Sequence, residues 1–194
     1  MIAPERFIAQ SENRDAWLTA RRGAVTATEV AKASTPAGFL EALEERRNPT
    51  ETLVNGYMQF GTDNENWLAL EIKRQFGIMP NTWLIASADN PLHMATPDGL
   101  SLDHTMTAEI KTGGKEPSKP PLMHMRQMQY QLYCAGPQAI QCVYAFMLRA
   151  ENDEGFYPAW LEPKTWIVLR DDQMIADLVK VADSLLAHDE SGVI

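Results

Sequence analysis

Cysteine is nearly absent from this 194-residue chain. Cys134 and Cys142 are the only two, too few for a four-cysteine iron–sulfur cluster, and neither lies near a histidine at zinc-finger spacing. Two thiols at this length fit a reducing compartment and two buried free side chains. Long apolar runs are missing as well. None approaches the ~18 residues that a bilayer-spanning helix needs, and Met1-Ile2-Ala3-Pro4-Glu5-Arg6 carries no signal-peptide pattern. A cytoplasmic protein with no membrane contact is the expectation. No internal repeat, low-complexity tract or linker divides the sequence, so a single domain over 1–194 is expected, long enough to bury roughly 70% of the surface its unfolded chain exposes. A basic excess is also lacking: Lys and Arg number 17 against 26 Asp and Glu, for a formal charge of -9. That excludes a simple nucleic-acid coat, because affinity for phosphate comes largely from Lys and Arg. It does not exclude an enzyme acting on nucleic acid, since bound cations reverse the local sign of the carboxylates that hold them.

The basic residues present are unevenly placed. Arg14, Arg21, Arg22, Lys111, Lys115 and Lys119 lie in or near the motifs considered next, whereas Asp171, Asp172, Asp177, Asp183, Asp189 and Glu190 acidify the tail. This predicts a locally basic channel on an acidic body, with weak non-specific binding that is sensitive to salt.

Along the chain, Asn13 to Arg22 reads as a helix with Ala16, Trp17 and Ala20 on one face, ending at Gly23. Thr26-Ala27-Thr28-Glu29 has the spacing of a capping box and opens a second short helix, whose first amides suit an anion. Helices are expected at Pro36 to Arg47 and at Asn55 to Phe76, the latter with Trp67, Leu68, Ile72 and Phe76 as core positions and Gly77 as its stop. Strands follow at Trp83 to Ala86, His93 to Leu100 and Thr107 to Lys111, then a polar Pro-rich stretch from Thr112 to Pro121. Pro121 to Cys134 is helical, with Met125, Met128 and Leu132 as its apolar stripe. Ala139 to Leu148 and Thr165 to Leu169 are strands, with a shorter one around Tyr157 to Leu161, and a last helix spans about Asp171 to Ala187. The class is α/β or α+β, a central mixed sheet covered by helices.

The segment Ala95-Thr96-Pro97-Asp98-Gly99-Leu100, followed by Ala108-Glu109-Ile110-Lys111, carries the chemistry. Alternation along a strand puts Glu109 and Lys111 on one face and Ile110 on the other. With Asp103-His104 as a two-residue hairpin tip, Leu102 pairs with Thr105, and the same register sets Asp98 opposite Glu109. Opposed residues have Cβ atoms roughly 5 Å apart, close enough for two carboxylates to share one divalent cation beside Lys111. Each piece also has a plainer reading. Pro-Asp-Gly is a common turn signal and Glu-Ile-Lys an ordinary amphipathic strand. Glu65 beside Asp63 suits a solvated helix face, and Arg21 with Arg22 suits helix C-terminal carbonyls. Gln127 and Gln131, four apart, suit an exposed polar stripe, and Met125 with Met128 suits the core. His93, His104, His124 and His188 share no ligand spacing, and His104 reads as loop tip.

Four motifs in order over Trp17 to Tyr133 resemble the phage lambda-type alkaline exonucleases, the YqaJ-like viral recombinase group of the PD-(D/E)xK nuclease superfamily. Arg21-Arg22-Gly23-Ala24-Val25-Thr26-Ala27-Thr28-Glu29-Val30 resembles the family's Arg-x-Gly-x-x-Thr-Ala-Ser-Glu-Val signature, with Thr28 in place of serine. Gly61-Thr62-Asp63-Asn64-Glu65 resembles its Gly-x-x-x-Glu helix, and Asp98 with Glu109-Ile110-Lys111 its metal-binding hairpin. Gln127-Met128-Gln129-Tyr130-Gln131-Leu132-Tyr133 resembles its Gln-rich helix.

The resemblance implies a restriction-endonuclease-like core and a Mg²⁺- or Mn²⁺-dependent 5′→3′ exodeoxyribonuclease. Such an enzyme acts on linear double-stranded DNA from a 5′-phosphorylated end, releases 5′-mononucleotides and leaves a 3′ overhang for recombination. It implies Glu65, Asp98, Glu109 and the Ile110 carbonyl as ligands of two ions, with Lys111 at the attacking water. Arg21 and Thr28 are implied at the terminal phosphate, Thr96 at the substrate, and Gln127 or Gln129 at the substrate or Lys111. A homotrimeric ring threaded by DNA, and a single-strand annealing partner of phage or prophage type, belong to the same expectation. The alternatives are an endonuclease with the same metal site and a catalytically inactive DNA-end-binding relative.

Overall fold

The structure is a computed structural model and describes residues 1–49, 55–160 and 162–191. In chain order the elements are β1 (Phe7–Gln10), α1 (Arg14–Arg21), β2 (Val25–Thr26), α2 (Ala27–Ala33), α3 (Pro36–Arg47), α4 (Gly56–Phe76), β3 (Met79–Pro80), β4 (Trp83–Ala86) and β5 (His93–Ala95). There follow β6 (Gly99–Leu100), β7 (Met106–Gly113), α5 (Leu122–Ala135), β8 (Gln141–Asn152), β9 (Gly155–Pro158), β10 (Lys164–Leu169) and α6 (Asp172–Ser191). Local chemistry sets the helix ends. Asn13, Thr35 and Asn55 accept from the first amides of α1, α3 and α4, as short polar caps do. Gly77, at φ 70°, closes α4 through its N–H to Lys73 O at 2.9 Å.

The strands form two mixed sheets flanked by helices, an α/β arrangement. One sheet runs β1-β4-β5-β2, with β2 parallel to β5; the other runs β10-β8-β7-β6-β3, with β7 parallel to β8 and β9 paired to β8. The expected single strand from His93 to Leu100 is therefore two strands in different sheets. The break falls at Thr96-Pro97-Asp98, where proline offers no ladder donor and Asn81 holds the chain instead. Its Nδ2 donates to Pro97 O at 2.8 Å and its N–H to Asp98 O at 3.0 Å. β1 is not expected from the sequence, and β2 and β3, two residues each, are too short for alternation to reveal.

The hairpin register is the one expected: Gly99 pairs with Ala108 and Leu100 with Thr107, which aligns Asp98 with Glu109. The tip differs. Leu102 and Thr105 lie in a longer loop, because Asp103 Oδ1 accepts from Ser101 Oγ at 2.7 Å and from Thr105 Oγ1 at 2.9 Å. His104 takes the left-handed φ of 61° and accepts the Ile2 N–H on Nδ1 at 2.7 Å.

Helix α5 runs through the interior, and every residue from Gln127 to Ala135 is buried. Met128 and Leu132 pack against β8 residues such as Tyr144, while Tyr130 and Cys134 pack against α2, α3 and α6. Its last carbonyls are satisfied by arginines: Arg170 Nη1 reaches Leu132 O, Gly136 O and Ala139 O at 3.0–3.3 Å, and Arg6 reaches Cys134 O. Both cysteines are buried and free, as expected. On α4, Leu68, Ile72 and Phe60 face the core with Phe76 at its edge, but Trp67 is 39% exposed, one residue off that face. The expected short strand at Tyr157 to Leu161 begins earlier, at Gly155, and Leu161 lies outside the described residues. Among the described residues no helix is long and apolar enough to cross a membrane.

Gly38 marks where α3 presses on α2. A Cβ there would sit 2.0 Å from Lys32 O, a backbone atom that cannot swing aside. Gly38→Ala is expected to destabilise by about 1–3 kcal/mol, read as a lower thermal midpoint by circular dichroism. An unchanged midpoint would contradict this packing.

Candidate active site

The sheet break and the parallel β2–β5 pair bring distant segments together. The pairing of Thr26 with Met94 sets the start of α2 just ahead of Thr96 and Asp98. Behind them β7 presents Glu109 and Lys111, and α5 presents Gln127 and Gln131. A cavity of about 250 Å³ is lined by Trp17, Arg21, Thr26, Thr28, Thr96, Asp98, Glu109, Lys111, Gln127 and Gln131.

Glu109 is 1% exposed, and a carboxylate at that depth needs compensation. Gln127 Nε2 donates to its Oε1 at 2.6 Å and Gln131 Nε2 to its Oε2 at 2.5 Å, while Lys111 Nζ pairs with Oε1. Asp98 Oδ2 accepts the Ile110 N–H at 2.6 Å. Burial, with Glu109 adding like charge, pushes the Asp98 carboxyl well above the ordinary carboxylate range. Burial works against charge on Lys111, yet Glu109 and Asp98 raise its pKa overall and keep it an ammonium. Two carboxyl groups and one ammonium thus share an enclosed space.

Arg21 closes the other side. Its guanidinium stacks on Trp17 at 4.1 Å from the ring centre, and its Nη2 lies 3.5 Å from Thr26 Oγ1. Burial lowers its pKa, opposed by Glu29, but an arginine remains charged. Glu29 is held in turn by the Thr26 N–H at 3.3 Å and by Arg46 Nη1 at 2.9 Å, which keeps the entry to α2 rigid.

Glu65 stands apart from this cavity. It is exposed on α4 and lines a neighbouring space of about 410 Å³ with Asp98, Ile110 and Lys111, so Asp98 is common to both. Among the described residues no three His, Cys, Asp or Glu side chains converge as a ready-made metal cage. The donors nevertheless fit magnesium, which binds through one or two carboxylates and keeps several waters. Asp98 and Glu109 supply oxygen donors side by side on one cavity.

No protein-family model matches the chain, and no curated protein sequence does. Solved structures do. The alkaline exonuclease LHK-Exo from Laribacter hongkongensis superposes with a TM-score of 0.71 at 26% identity, covering 92% of this chain and 93% of that one. In fold, and at 26% identity in sequence, the chain is similar to this alkaline exonuclease. LHK-Exo in complex with dAMP gives a TM-score of 0.70 over the same spans. A phage-related exonuclease from Haemophilus somnus 129PT shares the fold at 16% identity, with a TM-score of 0.65 over 87% of this chain and 96% of that one. The likeness to LHK-Exo supports a nuclease function of the exonuclease kind.

Within this alkaline exonuclease fold, the expected residues Asp98, Glu109, Lys111, Arg21, Thr28, Thr96 and Gln127 share one cavity. Gln129 does not reach it. Its Nε2 donates to Leu169 O at 2.7 Å and its Oε1 accepts the Asp171 N–H at 2.8 Å, which ties α5 to β10 and the start of α6. One residue along a helix rotates the side chain by about 100°, and two by about 200°, so Gln127 and Gln129 face opposite ways. The polar stripe formed by Gln127 and Gln131 is buried against Glu109, not solvated. Trp17 and Gln131 enter the cavity without having been singled out for it. The signal lay in their spacing, each four residues from a named partner (Arg21, Gln127).

Proposed function

We propose that this chain is a Mg²⁺-dependent (or Mn²⁺-dependent) 5′→3′ exodeoxyribonuclease that degrades one strand of linear duplex DNA from a 5′-phosphorylated end. It releases 5′-mononucleotides and leaves a 3′ overhang. The observation that carries this reading is the single cavity that joins Asp98, Glu109 and Lys111 to Arg21 and Thr28. Carboxylates beside an ammonium suit phosphodiester hydrolysis, and a guanidinium with hydroxyls at the far wall suits a terminal phosphate. The binding of dAMP by LHK-Exo is in keeping with a nucleoside monophosphate product.

Asp98 and Glu109 would hold the cation, with the Ile110 carbonyl and Glu65, which line the neighbouring space with Asp98, as further oxygen donors. When bound, divalent cations activate water and stabilise charge on the attacking and leaving oxygens. Lys111, kept charged by its acidic neighbours, orients the attacking water. Gln127 fixes the Glu109 carboxylate so that its lone pairs point where they are needed. Arg21 and Thr28 set the register by gripping the end, and Thr96 lines the path between end and scissile bond. The same reading includes a homotrimeric ring, since one chain of this size cannot encircle a duplex, and a single-strand annealing protein as recipient of the 3′ strand.

Covalently closed plasmid and linear duplex, incubated side by side with Mg²⁺, test the reading. Linear DNA is expected to disappear while closed circles persist; rapid nicking of closed circles would favour an endonuclease and overturn it.

A further inference from the structure

Gln131 is 1% exposed and donates its amide to Glu109 at 2.5 Å, yet its Oε1 is buried with no hydrogen-bond partner. The orientation of this amide is fixed by charge, because turning it over would set two oxygens against each other. The orphan oxygen therefore points away from Glu109, on a side chain that lines the cavity. Of the two glutamines that clamp Glu109, only Gln131 carries an enclosed, unpaired oxygen among the described residues. Enclosing an acceptor without a donor is costly, and such atoms in native folds call for an absent partner. Among the described residues no protein donor reaches it: Lys111 and Gln127 each direct an N–H to Glu109, and Trp17 Nε1, a donor lining the same cavity, is itself without a partner. A phosphodiester brings no hydrogen. Water in the shell of a divalent cation does, and magnesium retains several waters.

We infer that Gln131 is a positioning residue for the hydrated cation: its Nε2 fixes Glu109, and its Oε1 accepts a hydrogen bond from a cation-bound water. This rests on the metal-dependent reading above. Gln127 makes the matching bond to Glu109 but has no orphan oxygen, which provides the control.

The test is calorimetric titration of Mn²⁺ into EDTA-stripped, dialysed protein without DNA, beside thermal unfolding of the metal-free forms. Wild type is expected to bind Mn²⁺. Gln131→Met is expected to weaken that binding about tenfold or more, as loss of a residue supporting metal ligands does, and Gln127→Met by less. The metal-free midpoint of Gln131→Met should be no lower than that of Gln127→Met, because it also removes the orphan acceptor. Equal weakening by the two variants would overturn the inference, as would a lower midpoint for Gln131→Met with unchanged Mn²⁺ affinity. Should Gln131→Met fail to fold, Gln131→Asn, which withdraws the oxygen by one methylene, is expected to weaken Mn²⁺ binding beyond Gln127→Met; parity there overturns the inference equally. A wild type silent to both Mn²⁺ and Mg²⁺ would instead overturn the metal reading, and the inference with it.

Discussion

Asp98→Asn is expected to abolish DNA digestion while making the metal-free fold more stable. Loss of one cation-holding carboxylate removes several kcal/mol of charge stabilisation, and about 4 kcal/mol is roughly a thousandfold in rate. The stability change has the opposite sign. The Asp98 carboxyl, raised by burial and by Glu109, binds its proton more tightly in the folded chain than in the unfolded one. Its contribution to stability is therefore present at pH below the unfolded value and is lost as pH rises through the folded value. Above the unfolded value, ionisation of this group opposes folding. Asparagine removes it and can still accept the Ile110 N–H, so a gain of about 1 kcal/mol, or about 2–4 °C in thermal midpoint, is expected in EDTA. A variant that keeps nuclease activity, or one that melts earlier, contradicts the assignment of Asp98 as a site strained for function.

Arg21→Ala should erase the preference for phosphorylated ends. A hydrogen bond to a charged group contributes about 1.5–3 kcal/mol, equivalent to roughly 10- to 150-fold. Digestion of 5′-phosphorylated duplex should fall by that factor, while digestion of 5′-hydroxyl duplex changes little. The stacking of Arg21 on Trp17 and its approach to Thr26 hold the guanidinium before substrate arrives, so Arg21→Lys should restore only part of the preference, lacking the planar fork. Paired rate measurements on the two kinds of end decide this. A wild type that shows equal rates on both would remove the phosphate pocket.

The residues that reached the cavity as expected were legible because local rules govern them. Strand alternation and hairpin register set Asp98 level with Glu109 beside Lys111, and the capping box located the start of α2. What stayed hidden depends on long-range packing. No local pattern shows that Thr96-Pro97-Asp98 is the point where the chain leaves one sheet for the other, or that β2 lies parallel to β5. Nor could helix periodicity on α5 tell a site glutamine from a structural one. From Gln127 onward that helix is buried on every side, so each amide there needs a partner, and which partner depends on whether β7 or β10 lies opposite. Gln127 and Gln131 meet Glu109; Gln129 meets Leu169 and Asp171. Trp67 failed as a core position for the same reason: the apolar face of α4 is chosen by what packs on it, namely β3 and β7.

The most direct test of the account is a time course on linear duplex carrying a label in its 5′-terminal nucleotide, with and without the 5′-phosphate, in Mg²⁺ and in EDTA. The account predicts early release of the label as a mononucleotide from the phosphorylated end, dependent on Mg²⁺. Label released within oligonucleotides, or digestion that proceeds in EDTA, would contradict it.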